Sequence, residues 1–348
     1  MNLKKNKYKK LKLKKYNYGL GLLKVILAFC VVRAHCFNYK STRNKILLYI
    51  LRKRGAHVPS FFIMSFYFVH KGLLSLNIKI YLKRIERLLI PYFLWPIIIF
   101  ILNNNILNNY IVVKKYSFND LKNQFLIANG INGIFWFQWN LIILTTIFFI
   151  LIYLSKKKYL FLIQILGCFG YFIQYSGYNK SFINYLRPEK RLALGGLSIS
   201  IPFASTGFTF ASFTIFNIIP NYKIQTLFFC LYIFYLLDNY SVFSELKYHI
   251  YTGIIFNIRA ICLVFIFSLF PSNKITNTKI EKIIKNITNY TAGVYYLHLE
   301  INSYFKNYIN PIKNGSLFGI FIIYLICYLI CFIGMQTFGN TKFKYLFS

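Results

Sequence analysis

Acidic residues are scarce in this 348-residue chain, which has 7 Asp and Glu against 42 Lys and Arg. Charged residues of both signs make up only 14% of the sequence, whereas a soluble domain carries roughly a quarter. A large soluble helical protein would also need polar residues at helical spacing, and the long apolar runs of this sequence have none. The composition therefore excludes a soluble domain of any size.

Metal-binding motifs are also absent from the sequence. The chain has seven cysteines, with no CxxC pair and no spacing typical of metal ligands. Nearly all of them fall inside apolar runs, where cysteine behaves as a small packing residue. We therefore expect no metal site.

Apolar runs of about 20 residues recur along the chain, and this length matches a bilayer core of ~30 Å. Backbone polar groups in lipid must bond within their own segment, so these runs must be helices. The sequence predicts an all-α, polytopic integral membrane protein with about ten transmembrane helices. We place them at residues 19–39, 55–78, 85–108, 133–154, 158–176, 192–216, 223–240, 248–270, 287–309 and 315–338.

The net charge of +35 follows from basic residues in the loops and in the N-terminal tail, where membrane proteins keep them. The tail, residues 1–18, has eight Lys and no acid, and we expect it to lie on the anionic lipid surface of the cytoplasmic leaflet. Residues 19–340 form the transmembrane domain. We expect both termini in the cytoplasm, a location in the inner or plasma membrane, and no nucleic-acid partner.

Several ionisable residues interrupt the apolar runs, and each costs about 2.5–3.5 kcal/mol to insert on translocation scales. Lys or Arg near a helix end can extend to the interface, which explains Lys24 without a function. His35, Arg259, His298 and Glu300 are predicted to lie deeper in their spans, which indicates a functional role. The full set is Lys24, Arg33, His35, Asp238, His249, Arg259, His298 and Glu300.

Two spacings place cations on common helix faces. Lys24 and His35 are eleven residues apart, close to three full turns, so they share a face with roughly 16 Å between them. Arg84 and Arg87 share a face at the predicted cytoplasmic start of helix three. Lys24, Arg84 and Arg87 together are suited to a phosphorylated ligand. The alternative for the two arginines is ordinary flanking of a membrane span.

Five segments resemble the membrane-bound acyltransferase-3 family, in the family's order. They are LKVILAFCVVRAH from Leu23, VPSFFIMSFYF from Val58, KRIERLLIPYFLW from Lys83, GIFWF from Gly133 and TAGVYYLH from Thr291. The sequence departs from the family pattern at four positions. Phe66 replaces a glycine, Lys24 stands where many members have Arg, Ile134 replaces a small polar residue or His, and Arg33 is not expected.

The resemblance implies transfer of an acyl group, commonly acetyl, from cytoplasmic acyl-CoA to a sugar hydroxyl. The acceptor is a surface polysaccharide or a lipid-linked saccharide. Lys24, Arg84 and Arg87 would then bind the coenzyme A phosphates. The thioester would lie near His35, acting as general base or as a transient acyl acceptor.

Other residues near this predicted centre have less certain assignments from sequence. Glu300 or His298 would orient the imidazole or complete a proton relay, and His298 is equally well explained as a buried structural histidine. Arg33 would pair with Glu300 or Asp238, which would lower the cost of burying both charges.

Two other functions remain open at this point. Intramembrane charges suit a polysaccharide or lipid-linked sugar exporter as well as an enzyme, because fold alone does not separate the two. A membrane scaffold without chemistry is the third alternative. The sequence defines neither the acyl group, nor the acceptor sugar, nor an oligomeric state.

Overall fold

The chain is a bundle of helices. The structure, a computed structural model, describes residues 18–38, 57–107, 114–128, 130–131, 133–155, 158–175, 191–213, 226–230, 232–233, 250–269 and 278–348, and no strand occurs among them. The helices are α1 (Tyr18–Cys36), α2 (His57–Leu74), α3 (Ile78–Ile101), α4 (Phe118–Ile127), α5 (Trp136–Ser155), α6 (Tyr159–Tyr175), α7 (Arg191–Ser212), α8 (Ile250–Ser268), α9 (Thr278–Asn289), α10 (Thr291–Phe305), α11 (Asn310–Lys313) and α12 (Leu317–Phe338).

The all-α prediction is confirmed, and the chain is membrane-embedded. Four helical stretches of the described residues are long and apolar enough to cross a bilayer: Tyr18–Cys36, Ile78–Ile106, Gly133–Ser155 and Leu317–Phe338. The predicted count of about ten spans is not confirmed. Most of the predicted helix at 223–240, and all but Tyr18 of the basic tail, lie outside the described residues.

Helix α3 begins seven residues earlier than predicted, at Ile78 instead of residue 85. The Asn77 side chain caps this end by accepting a hydrogen bond from the Lys79 N–H at 2.9 Å. Charged residues in the first turns, Lys79 and Lys83 among them, made this stretch look like a loop, although the backbone there is helical. Arg84 and Arg87 therefore lie inside α3 and not at its start.

Helix α1 ends at Cys36, three residues before its predicted end. The Asn38 N–H donates to the Gly315 carbonyl at 3.0 Å, which draws the chain away from the helix axis. Gly315 has a φ of +58°, and a side chain there would lie 2.6 Å from the Asn38 nitrogen. His35 is thus in the last turn of α1 and exposed, so the prediction that it lies deep in the span was wrong.

Two short amphipathic helices were not predicted, because a search for long apolar runs does not detect them. Helix α4 begins with a capping box, in which Ser117 and Asp120 bond each other's backbone N–H groups. The hydrogen bonds from Ser117 lower the pKa of the Asp120 carboxyl. Helix α9 directly precedes α10, so the predicted helix at 287–309 is in fact two elements.

Two hydrophobic clusters form the core, and α1 contributes to both. Its first half, with Leu23 and Leu27, packs in a cluster with α2, α5, α7 and α8. Its second half, with Val31 and Val32, packs with α3, α10 and α12. Helix α1 therefore holds the two parts of the bundle together.

Helix α7 approaches α2 very closely at Gly207. A methyl group on Gly207 would lie 2.1 Å from the Ile63 carbonyl oxygen and 2.8 Å from its carbonyl carbon. These are backbone atoms, so the helices would have to separate. The glycine is required by this contact.

We expect Gly207→Ala to destabilise the protein by about 1–3 kcal/mol, the usual cost of overpacking. The thermal unfolding midpoint in detergent measures this. Gly72→Ala is the matched control, since its methyl group would meet only the flexible Ile80 Cγ2 at 3.2 Å. A midpoint for Gly207→Ala as high as that of the control would contradict the close contact.

Candidate functional site

A cavity of about 270 Å³ contains the three cations that the sequence singled out. Lys24 of α1 and both Arg84 and Arg87 of α3 line it. Its apolar and aromatic walls come from α2, α5 and α10, and include Phe61, Phe68, Leu88, Phe137, Leu141 and Tyr295. Two helices distant in sequence thus bring the predicted cations together.

Each cation is held by a contact with a neighbouring side chain. The Lys24 ammonium lies 4.9 Å from the centre of the Phe68 ring, and the Arg87 guanidinium lies 5.5 Å from that of Tyr345. Arg84 Nη2 donates a hydrogen bond to the Ser65 hydroxyl at 2.6 Å. Ring contacts stabilise a cation without neutralising it, so the positive charge of the cavity is retained.

The cavity has no acidic side chain among the described residues that line it. Glu86, between the two arginines in sequence, forms a salt bridge with Lys342 outside the cavity. Lys24 is repelled by both Arg84 and Arg87. This arrangement favours an anionic ligand, since an anion relieves the repulsion among the three cations.

An imidazole pair lies between the C-terminal end of α1 and α10. The ring centroids of His35 and His298 are 5.3 Å apart, with the planes tilted by 44°. His298 is fully buried, and its Nδ1–H donates to the Tyr295 carbonyl at 2.8 Å. Its Nε2 is then an acceptor, and it has no hydrogen-bond partner among the described residues.

Tyr295 connects the cavity to the imidazole pair. Its ring lines the cavity and lies 6.1 Å from the His298 ring. Its carbonyl holds His298, and its hydroxyl donates to the Ile134 carbonyl at 2.7 Å. A chain of direct contacts therefore runs from the cationic cavity through Tyr295 and His298 to His35.

The structure does not bring Glu300 into this pair. Its carboxylate interacts with the hydroxyls of Tyr304 and Tyr116, and residues two apart on a helix do not face each other. Among the described residues no salt bridge joins Arg33 to Glu300, and Asp238, the other predicted partner of Arg33, lies outside them, so the pairing of Arg33 stays a prediction. Asp238 and His249 lie outside the described residues, and Arg259 is buried in α8.

The departures from the family pattern leave the cavity intact. Phe66 is fully buried, with its ring 4.9 Å from that of Phe148, and it does not line the cavity. Ile134 is buried, and its backbone carbonyl accepts the hydrogen bond from the Tyr295 hydroxyl. The substitution at residue 66 is therefore accommodated in the core.

Sequence reasoning did not assign roles to three residues of the site. Ser65 and Tyr295 were part of the recognised segments, but only the fold shows that they position Arg84 and His298. His57, the first residue of α2, interacts electrostatically with His35, and no sequence signal linked them. Among the described residues no group of three or more His, Cys, Asp or Glu could hold a metal ion.

The fold and site define a membrane-embedded helical protein with a cationic cavity and an adjacent histidine pair. A family model described as an acyltransferase domain, that of acyltransferase family 3, matches residues 17–336. The chain therefore belongs to acyltransferase family 3. Comparisons with the curated proteins and with the solved structures give no match.

Proposed function

We propose that the protein transfers an acyl group, by family precedent an acetyl group, from cytoplasmic acyl-CoA to a hydroxyl of a surface polysaccharide or a lipid-linked saccharide. The observation that carries the proposal is a cavity lined by three cationic side chains and by no acidic side chain of the described residues, in contact with a histidine pair. The coenzyme offers several phosphate charges and a thioester, and the site offers cations at one end and imidazoles at the other.

The basic tail orients the protein in this proposal. Tail lysines favour the cytoplasmic leaflet. In this proposal both termini lie in the cytoplasm, and the protein lies in the inner or plasma membrane. Lys24 lies in the first part of α1, so the cavity opens on the side that holds acyl-CoA. The imidazole pair lies about 16 Å farther along α1, towards the side where a surface glycan is assembled.

Binding of the donor is assigned to the three cations. Arg84 and Arg87 offer guanidinium groups suited to phosphate oxygens, and Lys24 adds a point charge. Ser65 fixes the direction of Arg84 through its hydrogen bond. The aromatic walls of the cavity receive the less polar pantetheine arm, which then extends past Tyr295 towards the histidines.

His35 is the general base in this mechanism. Its neutral imidazole takes the proton of the acceptor hydroxyl as the oxygen attacks the thioester carbonyl. The new C–O ester bond forms, the C–S bond breaks, and the coenzyme A thiolate leaves with the proton returned by the imidazolium. Exposure of His35 allows a bulky saccharide to reach it.

His298 has a supporting role beside His35. Its Nε2 acceptor lies in the buried half of the pair, where it orients His35 or shares the proton.

A transient acyl-imidazole on His35 is the alternative to general-base catalysis. Glu300, the other candidate for the supporting role, interacts with Tyr304 and Tyr116. Family membership gives the acyltransferase precedence over the exporter.

We expect His35→Ala to lower acyl transfer by at least about 100-fold, the contribution of a positioned base. Acetyl transfer from labelled acetyl-CoA by membranes containing the variant measures this. Ile26→Ala, on an exposed position of the same helix, should retain activity. An active His35→Ala protein would contradict the mechanism.

Arg84→Ala combined with Arg87→Ala should raise the KM for acyl-CoA about tenfold or more, because charged hydrogen bonds to the phosphates are lost. The kcat should fall much less, since these contacts bind ground and transition states alike. The control is Lys306→Ala with Lys313→Ala, which removes two exposed charges elsewhere. An unchanged KM would show that the arginines do not bind the donor.

A further inference from the structure

A second basic feature lies on the other face of α3, outside the cavity. An open groove of about 700 Å³ runs along the first three turns of α3 and the segment after α12. Its lining residues on α3 include Lys79, Leu82, Lys83, Glu86, Leu89 and Ile90. These recur at spacings of three and four residues, so they form one face of the helix.

The groove is basic at one end and apolar at the other. Lys79 and Lys83 are exposed near the start of α3, and Lys342 adds a third ammonium. Leu89 and Ile90 lie about three turns farther along the helix, about 15–16 Å from Lys79. This order along a membrane span matches a phospholipid, with its phosphate at the interface and its acyl chain below.

The net charge of the groove is positive, which favours an anionic ligand. Its single acid, Glu86, is bonded to Lys342, and this contact raises the pKa of Lys342 above its usual value. No acid of the described residues pairs with Lys79 or Lys83. The groove therefore carries two positive charges that no acid of the described residues balances. An apolar surface lies beside them, and the Leu82 side chain on it is 54% exposed.

We propose that this groove binds one anionic phospholipid, with its headgroup phosphate between Lys79, Lys83 and Lys342 and an acyl chain along Leu89 and Ile90. A zwitterionic lipid fits the apolar end equally well but leaves the lysines without a net negative partner. The site is separate from the donor cavity, since Arg84 and Arg87 line the cavity and not the groove. The inference does not depend on the proposed acyl transfer.

The test uses the full chain in nanodiscs that contain a trace of phosphatidylglycerol with a photoreactive group in its acyl chain. After illumination, we expect labelled peptides from residues 82–90 of α3. Excess phosphatidylglycerol should suppress the labelling, and phosphatidylcholine with the same chains should not. Equal suppression by both lipids, or suppression by inorganic phosphate, would overturn the proposal.

Substitution tests the role of the lysines. Lys79→Gln, Lys83→Gln and Lys342→Gln combined should reduce labelling of α3 about fivefold or more, the factor for loss of one lysine near an anionic surface. Lys122→Gln, Lys306→Gln and Lys313→Gln remove the same total charge from other exposed positions and should leave labelling unchanged. If both triple variants label α3 equally, the groove is not the site. The lipid competition on the unaltered chain decides the question if the first variant does not fold.

Discussion

Mutual repulsion among Lys24, Arg84 and Arg87 is the constraint on which the site depends. Three cations share a cavity of about 270 Å³ lined by no acidic side chain of the described residues. Selection for stability alone would pair these charges with acids or move them to the surface. Here a hydroxyl and two aromatic rings hold them, and none of these cancels a charge. An anionic ligand, as proposed here, would relieve this repulsion.

In the proposed mechanism, helix α1 connects the three cations to the histidine pair. It carries Lys24 near one end and His35 near the other, and it packs in both hydrophobic clusters. Helix α10 packs against α1. Its residues Tyr295 and His298 are three apart, and Tyr295 lines the cavity while His298 contacts His35. The distance between the three cations and the histidine pair is therefore set by helices and not by loops.

The sequence was sufficient to predict the helical class, the family and the three cations of the cavity. The length of an apolar run and the spacing of Arg84 and Arg87 are properties of one segment of the chain. They do not depend on which helices become neighbours in the fold. The depth of His35 was predicted wrongly because the end of α1 is set by a contact with Gly315, far away in the chain. The start of α3 was misplaced because its first turns carry charged residues. The roles of Ser65 and Tyr295 depend on which helices are neighbours, and spacing within one helix does not contain that information.

The central claim is that one acyl-CoA molecule extends from the cationic cavity to the imidazole pair. Two photoreactive coenzyme analogues test it most directly, one with the reactive group on the adenine and one with it on the acyl chain. The account predicts that the adenine probe labels residues around Lys24 and Arg84, and that the acyl probe labels residues around His35 and His298. Labelling of the same end by both probes, or of neither region, would contradict it.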